Sequence, residues 1–177
     1  MSQFEVHVRW FTPEKPENIS VGRQRISSHL QSAGFSVRTV GTTAGTIQAA
    51  FAEREQYDIV IGTTRAGAFA ATLVGKLTGK PVIVDHVDPI RQFRKTHTVG
   101  VSIPVQLAEN ICFAVSNIVM YVYEEERSRV ERYAREARST SLGVEYNWFV
   151  DPDQGAIESA RNNVSSLSLR DNIAVYV

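Results

Sequence analysis

The chain has 177 residues, of which 19 are Lys or Arg and 19 are Asp or Glu, so its formal net charge is zero. Hydrophobic residues make up 43% of the chain and charged residues 21%, which is ordinary for a globular protein. This neutral balance argues against a dedicated nucleic-acid binder, whose phosphate contacts need a concentrated excess of positive charge. We therefore expect a folded domain without a nucleic-acid partner.

The cysteine content and the first residues predict where the protein resides. The single cysteine, Cys112, cannot form an intrachain disulfide and is typical of a reducing compartment. Residues 1–10 alternate polar and apolar side chains and lack the basic start and apolar run of a signal peptide. The most apolar stretch, residues 101–123, contains polar side chains such as Glu109 that are costly in hydrocarbon. We therefore expect a cytoplasmic protein in which this stretch is a buried helix followed by a buried strand.

Apolar side chains recur along the chain with periods that alternate between those of strands and helices. After the first strand, a loop with two prolines leads to a helix for which Asn18 is a suitable N-cap. Later segments repeat this strand–helix unit. We predict strands at 4–11, 35–40, 57–61, 81–84 and 118–122, a short strand at 139–144, and helices at 19–33, 46–55, 66–77, 102–116 and 124–138.

The last of these helices carries many charges. Glutamate and arginine recur at spacings of three and four residues, which favours ion pairs along one helix face. We therefore predict a solvated outer helix without a role in a site, with pairs Glu124–Arg127, Glu125–Arg129 and Glu131–Arg135.

Strands that alternate with helices through short loops predict an α/β fold with a doubly wound, mostly parallel, Rossmann-like sheet. In such sheets, ligands bind outside the carboxyl ends of the strands. Four segments are expected at that edge: 11–22, 41–46, 62–66 and 85–98.

Several common site motifs are missing from the sequence. There is no G-x-G-x-x-G after the first strand, no P-loop and no G-x-S-x-G elbow. The four histidines and Cys112 lack the spacing of metal ligands. We therefore predict neither a metal site nor a bound cofactor.

The densest polar cluster begins at the fourth predicted strand. Asp85, His86 and Asp88 follow one another where that strand ends, which is where such sheets present functional groups. Three cations and no anion lie between Pro89 and Ala108, and they suit a phosphate or an anionic membrane surface. The alternative is a polar turn that satisfies its own backbone. The three cations are Arg91, Arg94 and Lys95.

A second candidate follows the third predicted strand. Thr63, Thr64 and Arg65 precede a helix whose first amides and positive dipole end suit an anion. The alternative is that Thr64 serves as the N-cap of that helix.

Five stretches, in order, resemble the amino-terminal half of a GT-B glycosyltransferase of glycosyltransferase family 4. Val21 to Val37 is similar to the family's first helix and second strand, and Tyr57-Asp-Ile-Val-Ile61 to its YDVVH strand. Lys80-Pro-Val-Ile-Val-Asp-His-Val-Asp88 resembles KPVVxDxHD, with Val87 where the family has histidine. Asn117 to Glu124 is similar to ADxVIxVSE, and Leu142 to Phe149 to NGVDxxxF.

The resemblance implies the acceptor-binding half of a retaining enzyme that uses a nucleotide sugar as its donor substrate. In the family picture, Asp88 and His86 face the acceptor hydroxyl and the transferring sugar. The loop at 18–22, with Ser20 and Gly22, approaches the diphosphate. The three cations after Pro89 meet an anionic acceptor or make a peripheral contact with the inner face of a membrane.

The resemblance also implies a second domain that supplies most of the nucleotide-sugar site. We expect a first domain at 1–152, a linker or helix at 153–170, and the first strand of the second domain at 171–177. Without that donor-binding domain, the chain is expected to transfer no sugar. The alternative function is a non-catalytic, flavodoxin-like binding or regulatory module.

Overall fold

The computed structural model describes residues 5–13, 21–141 and 153–166. The chain divides into two compact units, residues 1–141 and 142–177, and the sheet lies in the first. The first unit contains strands β1 (Val6–Phe11), β2 (Phe35–Val40), β3 (Ile59–Thr63), β4 (Val82–His86), β5 (Ile118–Tyr121) and β6 (Ala137–Ser139). Its helices are α1 (Val21–Ser32), α2 (Ala44–Ala52), α3 (Thr64–Thr78), α4 (Ile90–Thr96), α5 (Val99–Val115) and α6 (Arg127–Tyr133), with 3₁₀ turns at Arg54–Gln56 and Glu124–Glu126. The second unit contains α7 (Gln154–Ser166).

The six strands form one sheet in the order β2-β1-β3-β4-β5-β6, and every neighbouring pair is parallel. The predicted α/β class and Rossmann-like, parallel sheet are confirmed. The chain moves outward from β1 to β2 and then returns to place β3 on the other side of β1. This reversal between β1 and β3 is the point where doubly wound sheets bind ligands, beside the carboxyl ends of the strands.

Helices cover both faces of the sheet because both faces are apolar. On one face, Val60, Val82 and Val119 are fully buried beneath residues of α2, α3, α5 and α6. On the other face, Trp10 and Ile61 pack beneath Leu30 of α1. Alternate residues of each strand therefore point toward different helices, which decides where each functional side chain lies.

Two glycines bring α3 against the end of β3. A Cβ atom on Gly62 would lie 2.2 Å from the carbonyl oxygen of Gly67, and one on Gly67 would lie 2.6 Å from that of Phe11. These distances leave no space for a side chain. The first turn of α3 is thereby held at the carboxyl edge of the sheet.

The structure differs from the predicted elements at three places. Residues 85–98, for which no helix was predicted, contain the end of β4 and helix α4. The helix predicted at 124–138 is instead a 3₁₀ turn followed by α6, and residues 137–139 form β6, earlier than the strand expected at 139–144. The amide of Val119 donates to the carbonyl of Glu136, so pairing with β5 outweighs the helical propensity of this charged segment.

Candidate functional site at the carboxyl edge of the sheet

A row of hydrogen bonds crosses the ends of three adjacent strands. Trp10 on β1 donates its indole N–H to the Thr63 hydroxyl on β3 over 2.7 Å. The Thr63 hydroxyl donates to Oδ2 of Asp85 on β4 over 3.0 Å. The register pairs Thr63 with Asp85, so the row follows directly from the parallel alignment of β3 and β4. It lies at the reversal point of the sheet.

The pKa of Asp85, at the end of β4, is raised. Burial is the largest influence on its pKa and raises it above the ordinary value. The hydrogen bond from Thr63 and the positive charge of Arg23 on α1 act in the opposite direction without cancelling the effect. Asp85 is therefore an acid held partly out of water at a strand end, which is a frequent property of functional carboxyl groups.

Arg23 also lines a shallow groove beside this row. The groove lies between α1 and Thr39 on β2, and its volume is about 320 Å³. Its remaining lining residues are Gln24, Ser27 and Ser28. All five residues that line this groove have polar side chains.

Thr64 begins α3 with a backbone φ of 62°, in the left-handed region. Such a conformation is an outlier for a β-branched residue and costs on the order of 1–3 kcal/mol. The N-cap position belongs to Thr63, which makes no side-chain capping bond, so the N-cap role predicted for Thr64 is wrong. The strained residue Thr64 therefore lies directly after Thr63 of the hydrogen-bonded row, and it does not cap the helix.

The turn that carries Asp88 is clamped by Arg65. The Arg65 guanidinium donates to the Asp88 carbonyl oxygen over 2.8 Å and lies 4.6 Å from the centroid of the Phe93 ring. Its Nε also lies 3.0 Å from Oε1 of Glu109. Arg65, predicted to bind an anion, is therefore engaged in positioning the turn after β4.

His86 lies in the interior, although the resemblance implied that it faces a substrate. It is 4% exposed, and its Nε2 donates to Oε2 of Glu126 over 3.0 Å. Its Nδ1 lies 3.9 Å from Oε1 of Glu109, and its ring packs edge-on against Phe113. The reason is strand alternation, because His86 shares a face with buried Val84 while Asp85 points to the other face. We therefore revise the role of His86 from catalytic to structural.

A buried ionic network surrounds His86. Arg129 donates to Oε2 of Glu109 over 2.8 Å and to Oε2 of Glu126 over 2.7 Å. Oε1 of Glu126 accepts the amide of Ile90, the first residue of α4, over 3.0 Å. The network thus joins α5, α6 and the start of α4. Through the bond to Ile90 it holds the chain directly after Asp88.

Glu126 is ionised within this network. Burial by itself raises the pKa of its carboxyl group, but the hydrogen bond from His86 and the charge of Arg129 hold the pKa below its ordinary value. The prediction that residues 124–138 only face solvent is therefore wrong for Glu126 and Arg129. Of the three predicted pairs, Glu124–Arg127 forms, but Arg129 contacts Glu126 and Glu109, and Glu131 contacts Arg127.

The other predicted site residues are distributed as follows. Arg91, Arg94 and Lys95 are exposed on α4. Arg91 lies 3.7 Å from Glu125, and Arg94 donates to Gln106 of α5. Gly22 is in the first turn of α1, and Ser20 lies outside the described residues. Thr63, Thr64, Arg65 and Asp88 are brought together with Asp85, which the sequence analysis placed in the polar cluster but to which it gave no role.

No family model matches the chain, and no curated protein matches it. Within residues 5–13, 21–141 and 153–166, no group of three His, Cys, Asp or Glu side chains could hold a metal ion. In the same described part of the chain, no helix combines the length and apolar composition needed to cross a membrane.

Proposed function

We propose that this chain is the acceptor-binding domain of a retaining glycosyltransferase that takes a nucleotide sugar as donor. The observation that carries the proposal is the row Trp10–Thr63–Asp85 beside the Asp88 turn, where the parallel sheet reverses its strand order. The in-order resemblance to family 4 enzymes, including Lys80 to Asp88, supports the same assignment. The donor site is assigned to a second domain.

The proposed role of the edge is to hold an acceptor hydroxyl against the donor sugar. Asp88, on the clamped turn, orients that hydroxyl, and the less acidic Asp85 accepts or returns its proton. Retention without a protein nucleophile leaves positioning and electrostatic stabilisation as the main contributions. Arg23, beside Asp85, provides positive charge toward the phosphates of the donor.

Acceptor binding can be tested on the chain itself by amide-resolved NMR titration. A panel of mono- and oligosaccharides, with and without phosphate, is expected to shift amides at 63–65 and 85–89. Asp88→Asn should weaken binding by about tenfold, since a hydrogen bond to a charged group is lost. Asp58→Asn, at the opposite end of β3, is the matched control and should bind as the parent does. Shifts confined to other regions, or none, would remove the edge as the acceptor site.

A second candidate is a non-catalytic binding or regulatory module. The order of the first five strands, β2-β1-β3-β4-β5, is that of flavodoxin-like sheets, which favours this class. A module of this kind would bind its ligand at the same edge but transfer no sugar when a donor domain is supplied. Binding alone therefore does not separate the candidates, whereas transfer does.

A further inference from the structure

Helix α5 is inverted relative to an ordinary surface helix, because most of its polar side chains are buried and its exposed residues are apolar. Ser102, Glu109 and Asn110 are buried against the domain. All eight exposed positions of the helix carry apolar residues: Val99, Gly100, Val101, Ile103, Pro104, Leu107, Ile111 and Ala114. The sequence interpretation expected this helix to be buried. In the described part of the first unit, no residues bury the outer face of α5.

The exposure on this face is large. The five bulky side chains are exposed by between 47%, at Val101, and 71%, at Val99. Val99, Ile103, Leu107 and Ile111 recur every four residues and form one stripe. Helix α3 packs against α5 and adds two further exposed leucines, Leu73 and Leu77. An exposed apolar stripe such as that of α5 is typical of a docking site for another surface.

The charges beside this stripe indicate that its partner carries negative charge. Helix α4 presents Arg91, Arg94 and Lys95 to solvent, with Arg91 3.7 Å from the exposed Glu125, and the contact of Arg94 with Gln106 places α4 alongside α5. Residues 89–123, all of which the structure describes, contain one acidic residue, Glu109, which is 1% exposed and ion-paired. A second copy of α5 would offer these cations no exposed carboxylate. Anionic lipid headgroups would offer many.

We propose that α4 and α5 together form a lipid-docking face that binds an anionic membrane surface. The α5 stripe enters the boundary between headgroups and acyl chains, and the α4 cations contact the headgroups, as in other interfacial helices. The helix lies on the surface, since α5 has 17 residues and no described helix can span a membrane. This inference does not depend on the proposed sugar transfer.

Co-sedimentation with vesicles tests the lipid-docking face. The full chain is expected to bind phosphatidylglycerol–phosphatidylcholine vesicles at low salt and to bind pure phosphatidylcholine at least about tenfold more weakly. Leu107→Ser/Ile111→Ser and Arg91→Ser/Lys95→Ser should each reduce binding by about tenfold or more. The matched controls, Ile26→Ser/Tyr133→Ser and Arg54→Ser/Arg132→Ser, alter exposed residues elsewhere and should leave binding unchanged. All these positions are exposed, so the variants should fold.

A fluorescent label locates the face directly. An environment-sensitive dye on Leu107→Cys should shift to shorter wavelength with anionic vesicles, and the same dye on Ile26→Cys should not. Cys112 is buried and should not react. The inference is overturned if the parent chain does not bind anionic vesicles, or if the Ile26 label responds as the Leu107 label does. It is also overturned if Leu107→Ser/Ile111→Ser abolishes dimerisation of the chain while vesicle binding is unchanged.

Discussion

Individual residues at the carboxyl edge are held in conformations or ionisation states that oppose stability. Thr64 occupies the left-handed region, and Asp85 is partly withdrawn from water. Costs of this kind persist where the surrounding structure enforces them, and they concentrate at functional sites. Thr64 directly follows Thr63, the register partner of Asp85, so both residues lie where β3 and β4 end. A strained backbone and a carboxyl group with a raised pKa therefore occur together at this edge.

The raised pKa of Asp85 predicts that Asp85→Asn stabilises the fold at neutral pH. An ionised Asp85 is disfavoured in the folded state, so this residue lowers the free energy of unfolding as the pH rises above its ordinary pKa of 3.8. Asparagine keeps an oxygen that accepts the Thr63 hydroxyl but carries no charge. Urea unfolding at a series of pH values should show the gain at pH 7 and its disappearance below pH 3.8. A loss of stability at pH 7 would contradict the assignment.

Removing Glu109 should have the opposite and larger effect. Glu109→Ala removes the buried carboxylate that Arg65 and Arg129 share and leaves Arg129 with Glu126 alone, which costs roughly 3–5 kcal/mol in the free energy of unfolding. Glu131→Ala, which breaks an exposed pair with Arg127, is the matched control and should cost less than about 1 kcal/mol. Equal effects in urea unfolding would mean that the buried network does not anchor the domain.

At the scale of elements, the strands could be predicted because buried parallel strands are continuous apolar runs. Periodicity also predicted α1 and α3. It missed α4, whose short polar segment has no apolar stripe, and β6, which is formed by pairing with β5. The site was also predicted incompletely. Successive residues of β4 point to opposite faces of the sheet, so Asp85 faces α1 while His86 faces the core. The apolar neighbours Val82 and Val84 carried that signal in the sequence.

The close contact between β3 and α3 predicts a strong effect of Gly62→Ala. The added Cβ would lie 2.2 Å from a backbone oxygen that cannot move without displacing α3, so we expect a loss of about 3 kcal/mol in the free energy of unfolding. Gly100→Ala is the control, because nothing lies within 4 Å of its Cβ position on α5. It should raise stability by roughly 0.5–1 kcal/mol. Thermal or urea unfolding of the two variants checks both signs.

At the scale of the whole molecule, the parallel sheet provides the edge but does not determine the chemistry. Many unrelated functions use the same architecture. The proposed assignment therefore depends on Asp88, Asp85 and their supports, together with the resemblance of Lys80 to Asp88 to one family. A donor domain must act on the acceptor held at this edge if the proposed function is correct.

Sugar transfer by the chain joined to a donor domain tests this account most directly. The chain is fused to the second domain of a family 4 glycosyltransferase and supplied with nucleotide sugars and with any saccharide that binds at residues 63–65 and 85–89. We predict transfer by the fusion and none by the chain alone. Asp88→Asn should reduce transfer by at least about a hundredfold with an unchanged unfolding midpoint, and Asp58→Asn should leave transfer intact. Full transfer by the Asp88→Asn fusion, or no transfer although an acceptor binds, would contradict the account.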